Sequence, residues 1–409
     1  MRILFVTGEY PPMQGGVGDY TAKLARALRS VGEEVIVLTS QRAQPKSGIS
    51  LASEQVLPVI GSWGTGCWRR ILAVARQWRV DVVHVQYQTA AFGMSPAING
   101  LPLAARLWSR RPRVVVTFHD LKPPYLFPKA GPLRKLPALL LASTADAVVV
   151  TNVEDAAALR AWLRLDVAPS GDTRSQRLYS IPIGSNINPM PPPSPAEIEE
   201  WRAQLGLDPS ALLLSFFGFL NQTKGIDVLL DAIASLARRH WPVYLLMVGG
   251  TAGDSDPTNR AFAHQIRGKA DSLALRGRVF WTGFTRSEEV SLNLQRTDVC
   301  VLPFLEGGSY RHGTLVAALA HGLPVITTAA PASAPVAGLD SGWPRLAHLE
   351  NCYLVPPGDV TQVMEAIETL MEKRDLRARL AQGARTLAPF FRWERIAEAT
   401  ASLYRELLQ

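Results

Sequence analysis

Cysteine is scarce, with only Cys67, Cys300 and Cys352 in 409 residues. Three widely spaced thiols cannot make a disulfide framework or a zinc knuckle, so buried thiols in a reducing cytoplasm are expected. Long apolar runs are also missing. The longest, "LPALLLASTADAVVV" from Leu136 to Val150, is broken by Asp146 and falls short of the roughly 20 residues that span a bilayer. Met1 leads straight into the strand-like "RILFV", so no leader peptide is expected. Zinc-finger spacings, RNA-recognition signatures and aromatic–basic repeats are absent as well. Their absence argues against nucleic acid as a partner.

What remains is the composition of a water-soluble globular chain, 47% hydrophobic and 19% charged. Its length suits two domains of about 200 residues each. The net charge of +8 is uneven. Residues 1–190 hold 22 Lys/Arg against 12 Asp/Glu, a balance of +10, and the remainder holds 21 against 23, a balance of −2. A basic half beside a near-neutral half suggests that the first meets something anionic. A phosphorylated substrate or an anionic membrane face fits better than nucleic acid. The basic, aromatic segment from Leu121 to Ala142, with Tyr125, Leu126 and Phe127 between prolines, suits shallow contact with headgroups. The expected location is therefore cytoplasmic, with peripheral contact at the inner membrane face as the further reading.

Short β-rich runs alternate with amphipathic helical stretches. In the first half they are "RILFV", "EVIVLT", "VDVVHVQ", "RVVVTF", "ADAVVV" and "LYSIP". "NPMPPPSP" interrupts the pattern, which restarts with "LLLSFFG", "VYLLMVGG", "VFWTGF", "VCVLPF" and "PVITT". Such alternation implies an α/β protein with two Rossmann-like, parallel-sheet domains joined by a stiff linker. "FRWERIAEATASLYREL" adds a strong amphipathic helix beyond the last unit. Ligands of such sheets bind outside the carboxyl ends of the strands, so the loops that follow strands carry the function.

The first such loop, "GEYPPMQGGVGDYT", is one residue short of a dinucleotide fingerprint. Its glycines come eight residues after the strand, and the second strand ends "VLTSQR" without the acid that would hold a ribose. A nicotinamide site is therefore disfavoured. Two readings remain: a packing turn, or an amide-lined loop at a helix N-terminus that takes an anion or a set of hydroxyls.

Taken in order, "GEYPP…GG", "VDVVHVQ", "VTFHD", "ADAVVVTN", "GFLNQTKGIDVLLDAI", "VFWTG", "LAHGLPVITT", "YLVPPGD" and the closing helix resemble the retaining glycosyltransferases of family 4. The resemblance covers the whole chain and implies a GT-B fold, two Rossmann-like domains facing across a cleft. It implies an acceptor-binding domain over 1–187 and a proline-rich linker over 188–208. A nucleotide-sugar-binding domain over 209–388 and a helix over 389–409 that returns to the first domain complete the scheme. The activity implied is metal-independent, retaining transfer of a hexose from a nucleoside diphosphate sugar to a hydroxyl acceptor, with no cofactor. No enzyme nucleophile is needed, because the leaving phosphate takes the acceptor's proton on the same face.

The resemblance also assigns residues. Gly15 and Gly16 match the family's glycine pair on the acceptor side, with Tyr20 and Gln86 nearby and Gly16 also reaching donor phosphate. His119, ending "RVVVTF", matches a cleft histidine near the reacting sugar. Lys224 matches the lysine that neutralises the donor diphosphate as charge grows on the leaving oxygen. Gly218 precedes Phe219, which stands where the family usually has an arginine. Ser309 and Ala317 occupy the positions of the family's paired glutamates, a larger departure. The segment "EGGSYRHGT" offers replacements: Arg311 for the lost cation, and Glu306 for sugar hydroxyls. Gly308, Ser309, Tyr310, His312, Gly313 and Thr314 complete that donor loop at a helix N-terminus. His84 has apolar alternate neighbours and reads as structural. Asp254-Ser255-Asp256 reads as a solvated turn, not a metal motif. The three departures keep a second hypothesis open, a catalytically inactive GT-B scaffold that binds a sugar nucleotide or a protein.

Overall fold

A computed structural model describes residues 1–44, 55–108, 111–121, 135–163, 177–250, 258–330 and 344–409. The described residues form two compact units, one from 1–184 and 393–409, the other from 185–330 and 344–392.

Unit 1 runs β1 (Arg2–Thr7), α1 (Gly16–Ser30), β2 (Glu34–Ser40), β3 (Val56–Ile60), α2 (Cys67–Gln77), β4 (Val82–Tyr87), α3 (Leu101–Arg106), β5 (Arg113–Phe118), α4 (Leu136–Thr144), β6 (Ala147–Val150), α5 (Val153–Leu163) and β7 (Leu178–Ser180). The seven strands are all parallel, in the order β3-β2-β1-β4-β5-β6-β7. Their apolar runs are continuous because both sheet faces are covered. Leu4 and Val6 of β1 point to one core, with Val83 and Val85, against Ile71 of α2 and Leu101 of α3. Ile3 and Phe5 point to the other, with Leu24 of α1. Onto that second face comes α13 (Trp393–Leu408), which buries Trp393, Ile396, Ala397, Ala401 and Tyr404.

Unit 2 begins with α6 (Pro195–Gln204), inside the span read as linker. Its signal is a capping box: the Ser194 hydroxyl accepts from the Glu197 N–H, and Glu197 reaches back to the Ser194 N–H, with Pro195 in the first turn. Then follow β8 (Leu212–Phe217), α7 (Ile226–Arg238), β9 (Val243–Val248), α8 (Thr258–Ser272), β10 (Val279–Gly283), α9 (Ser287–Gln295), β11 (Val299–Leu302), α10 (Gly313–Ala320), β12 (Val325–Thr328), β13 (Tyr353–Val355), α11 (Val360–Glu372) and α12 (Arg374–Leu387). The six strands are parallel, in the order β10-β9-β8-β11-β12-β13. All three cysteines are buried and free. Among the described residues, no helix is long and apolar enough to cross a membrane.

Candidate functional site

Strand order reverses between β1 and β4 in unit 1, and between β8 and β11 in unit 2. Loops diverge at such switch points and leave a crevice at the carboxyl ends. The residues singled out by sequence fall on these loops or beside them.

In unit 1 the loop after β1 feeds α1. The Glu9 carboxylate folds back under the start of that helix and accepts the N–H groups of Val17 (3.0 Å) and Gly18 (3.2 Å). Gly15 leaves room for that carboxylate, since a β-carbon there would lie 2.2 Å from Glu9 Oε1. Burial holds the Glu9 carboxyl above its ordinary range, against the pull of those two N–H groups. Sequence reading missed Glu9, which takes up the Val17 and Gly18 amides of this loop. A negative charge already occupies the positive end of α1, so these amides are closed to a phosphate. Gly16, exposed with open space at its α-carbon, is left for an approaching ligand.

Tyr20 stands one turn beyond Gly16, buried, with its ring edge-on to His119 at 4.7 Å. His119 follows β5, and its Nε2 donates to Gln86 Oε1 at 2.9 Å, which leaves Nδ1 as the acceptor of the neutral ring. Burial pushes the imidazole down to about 3, so it stays neutral through the physiological range. Gln86 is fully buried on β4, and its Nε2 has no hydrogen-bond partner among the described residues. Unit 1 thus gathers Tyr20, Gln86 and His119 into one cluster that offers an unused donor and an uncharged imidazole. His84 is held between Tyr404 (2.5 Å) and Thr117 (2.8 Å), in keeping with its structural reading.

In unit 2 the loop after β8 turns through a single 3-10 turn at Gln222–Lys224 into α7. The Lys224 side chain folds back onto Gly218: a β-carbon there would lie 2.5 Å from Lys224 Nζ and 2.8 Å from Thr314 Cγ2. Gly218 itself has φ +128°, which L side chains rarely adopt. Lys224 has no ion-pair partner among the described residues, and burial lowers its ammonium to about 8. Thr314 lies in the first turn of α10, whose N-terminus has no side-chain cap. The Leu315 N–H donates to His312 O at 3.0 Å, which leaves the Gly313 and Thr314 N–H groups as the orphan amides of that turn. Lys224, Gly218 and Thr314 therefore meet at one place, and the Leu305 N–H···O Thr223 bond (2.8 Å) ties the two loops that carry them.

The loop before α10, expected from sequence to hold the donor, is more occupied than its sequence suggests. Gly308 packs on Thr327, and its N–H donates to Thr328 O at 2.8 Å. The Ser309 N–H donates to His312 Nδ1 at 3.3 Å, and the His312 ring stacks on Phe304 at 3.8 Å. Arg311 pairs with Glu306 at 2.8 Å, so the replacement cation and the replacement carboxylate face each other. Tyr310 is buried against Phe391, with no hydrogen-bond partner for its hydroxyl among the described residues. Ala317 is buried within α10. Phe219 borders Gly250. Asp254-Ser255-Asp256 and the Tyr125–Phe127 tip lie outside the described residues.

Two family models match this chain, between them over most of its length. "Glycosyl transferase 4-like domain" covers residues 15–170, and "Glycosyl transferases group 1" covers residues 211–373. A D-inositol 3-phosphate glycosyltransferase of Corynebacterium urealyticum is 28% identical over 59% of this chain and 54% of its own length, about half of that relative. A GDP-mannose-dependent α-(1-6)-phosphatidylinositol monomannoside mannosyltransferase of Mycobacterium tuberculosis is 25% identical over 99% of this chain and 98% of its own. Anabaena HepE, solved with UDP-glucose, superimposes with a TM-score of 0.69 at 18% identity, over 99% and 100% of the two chains. The two parallel sheets, the loops at their switch points and the two matched halves agree: the chain belongs to the family-4-type glycosyltransferases of GT-B fold, which carry a sugar from a donor to an acceptor.

Proposed function

We propose that the chain is a retaining, metal-independent hexosyltransferase that takes its sugar from a nucleoside diphosphate and delivers it to a hydroxyl of an anionic acceptor. The observation that carries this reading is the meeting of Lys224 Nζ, the Gly218 α-carbon and the uncapped first turn of α10 at the switch point of unit 2. An ammonium and free helix amides suit a diphosphate and oppose the charge that grows as it leaves. They supply the charge complement that a metal would otherwise provide. The bond from the anomeric carbon to the diphosphate oxygen breaks, and the acceptor oxygen bonds that carbon on the same face. The acceptor's proton passes to the departing phosphate oxygen. His119, neutral and backed by Gln86, offers a hydrogen bond to a sugar hydroxyl near the reacting carbon. Family membership favours transfer over the inactive scaffold.

The relatives' names point to acceptors built on inositol with a phosphate, which agrees with the +10 balance of residues 1–190. A peripheral membrane position is supported by a second observation. Leu107 is 87% exposed, and Leu103, Leu136 and Leu140 are exposed on α3 and α4. Beside them an open apolar groove of about 650 Å³ is lined by Pro96, Leu136, Pro137, Leu139, Leu140 and Trp162. Lys135 lies over the Trp162 ring at 4.8 Å. Apolar tips with basic neighbours suit an anionic lipid surface.

The decisive experiment screens UDP, GDP, ADP and their sugars by thermal shift, then assays transfer to inositol phosphates and phosphatidylinositol vesicles. One nucleotide is expected to stabilise the protein, by about 2.7 kcal/mol at 100 times its Kd. Its sugar is expected to transfer with the anomeric configuration kept, in the presence of chelator. An inverted product, or turnover only with added metal, overturns the mechanism.

A further inference from the structure

Phe219 stands where the resemblance calls for a cation, and it has an aromatic companion. Phe284 directly follows β10, a half-buried strand at the sheet edge, and its ring is 66% exposed. Between the two, β9 ends in Gly249 and Gly250. A β-carbon on Gly250 would meet Phe219 Cε1 at 3.3 Å and Phe284 Cβ at 3.4 Å. The two phenylalanines thus flank a floor that carries no side chain. The floor is firmly set, because the Gly249 N–H donates to Thr282 Oγ1 (3.2 Å) and Gly249 bridges Gly283.

Position gives the slot its meaning. A β-carbon on Gly249 would lie 3.3 Å from Gly218 O, so the two glycines pack backbone to backbone, and Gly218 is in turn covered by Lys224 Nζ. Each residue along this path advances about 3.8 Å. A ligand that anchors an anionic end at Lys224 and continues along the strand ends meets the Phe219–Phe284 slot next. A flat ring between two aromatic side chains would cover the exposed face of Phe284. The same strand end supplies a polar atom, since Thr285 Oγ1 is buried without a partner among the described residues.

We infer that Phe219 and Phe284 clamp the nucleobase of the donor by stacking, and that Thr285 offers the hydrogen bond that distinguishes one base edge from another. The inference rests on the reading of Lys224 as the diphosphate site. Stacking accepts any base because every base has a π-face, so the phenylalanines would supply affinity and Thr285 selectivity.

The test uses titration calorimetry on the full chain with UDP, GDP and ADP, and with inorganic diphosphate as the probe that has no base. Phe284→Ala is expected to weaken the preferred nucleotide by roughly 5- to 150-fold, the equivalent of about 1–3 kcal/mol of stacking. Inorganic diphosphate should change less than twofold in the same variant. Phe284→Trp should keep the affinity, and its indole emission should be quenched by nucleotide and not by diphosphate. Thr285→Val should narrow the preference among the three bases. Equal losses for nucleotide and inorganic diphosphate, or no loss for either, overturn the clamp while leaving the Lys224 site standing. A wild-type chain that binds neither probe overturns both. Phe284 is mostly exposed, so its variants fold and keep the test clean.

Discussion

Lys224 gives up its proton more readily than a lysine in water, and that has a measurable sign. The ammonium is lowered to about 8, so the charge that would hold a diphosphate is lost as pH rises through that value. Nucleotide affinity should fall from about pH 8 upward, well before an ordinary lysine would titrate. Lys224→Arg should flatten that fall, because a guanidinium stays charged. Lys224→Ala should weaken binding roughly tenfold or more at pH 7, and calorimetry across pH 6.5–9.5 reads both. Arg311 needs a comparison of magnitudes. Its partly exposed pair with Glu306 is worth about 0–1 kcal/mol, less than the roughly 1.5–3 kcal/mol of a contact to a charged phosphate. Arg311 should therefore leave Glu306 for a bound diphosphate, and Glu306→Gln should raise nucleotide affinity a few-fold. An unchanged affinity would make Arg311 a loop residue only. His119, held neutral near 3, should put no limb on the pH–rate profile between 5 and 8. His119→Ala should reduce kcat at least tenfold while nucleotide affinity stays within twofold.

At the scale of elements, the alternation of apolar runs and amphipathic helices made eleven strands legible, because both faces of each sheet are buried and the runs are unbroken. Two strands escaped. β3 contains Pro58, which a central strand would reject, and is tolerated because β3 lies at the sheet edge. β13 is three residues long, at the opposite edge of its own sheet. Proline also hid α6, whose capping box at Ser194 and Glu197 was nonetheless readable. The site was harder to read, since spacing says which loop a residue occupies and not what it touches. Nothing in "GEYPP" announces that Glu9 caps α1, and nothing in "EGGSYRH" announces that its charges pair. The histidines raise a prediction for α13. His84 is lowered to about 3 by burial and donates to or accepts from Tyr404. Below the unfolded value of about 6.5, the unfolded chain takes a proton that the folded unit refuses. The contribution of His84 should then fall by about 1.4 kcal/mol for each pH unit as pH drops toward about 3, with His119 adding a like slope, and that contribution stays flat above 6.5. Tyr404→Phe removes the partner on α13 and should cost about 1–2 kcal/mol at pH 7. Calorimetric melting should show a loss of about 2–8 °C.

Charge and exposed leucines act at the scale of the whole molecule. The +10 balance of residues 1–190 and the leucines of α3 and α4 lie in the same unit. Each basic residue near an anionic surface adds about 1 kcal/mol, fading over a Debye length. Sedimentation with liposomes should show binding that requires anionic lipid and falls with salt. A Leu107→Ser/Leu140→Ser variant should bind at least fivefold more weakly. Equal recovery on neutral and anionic vesicles would point to a soluble acceptor.

The return of α13 has a consequence in time. The chain leaves unit 1 at Gly184 and re-enters it at Trp393, so about 200 residues of unit 2 emerge from the ribosome in between. At about 5–20 residues per second, that is a wait of roughly 10–40 s. Throughout it, the core formed by Ile3 and Phe5 of β1 with Leu24 of α1 lacks the helix that adds Ile396, Ala397 and Tyr404 to it. The second-born unit is thus the first able to finish, and the first-born waits half-dressed. Nascent chains stalled before residue 393 should be held by chaperones and cut by protease in unit 1, while unit 2 already resists.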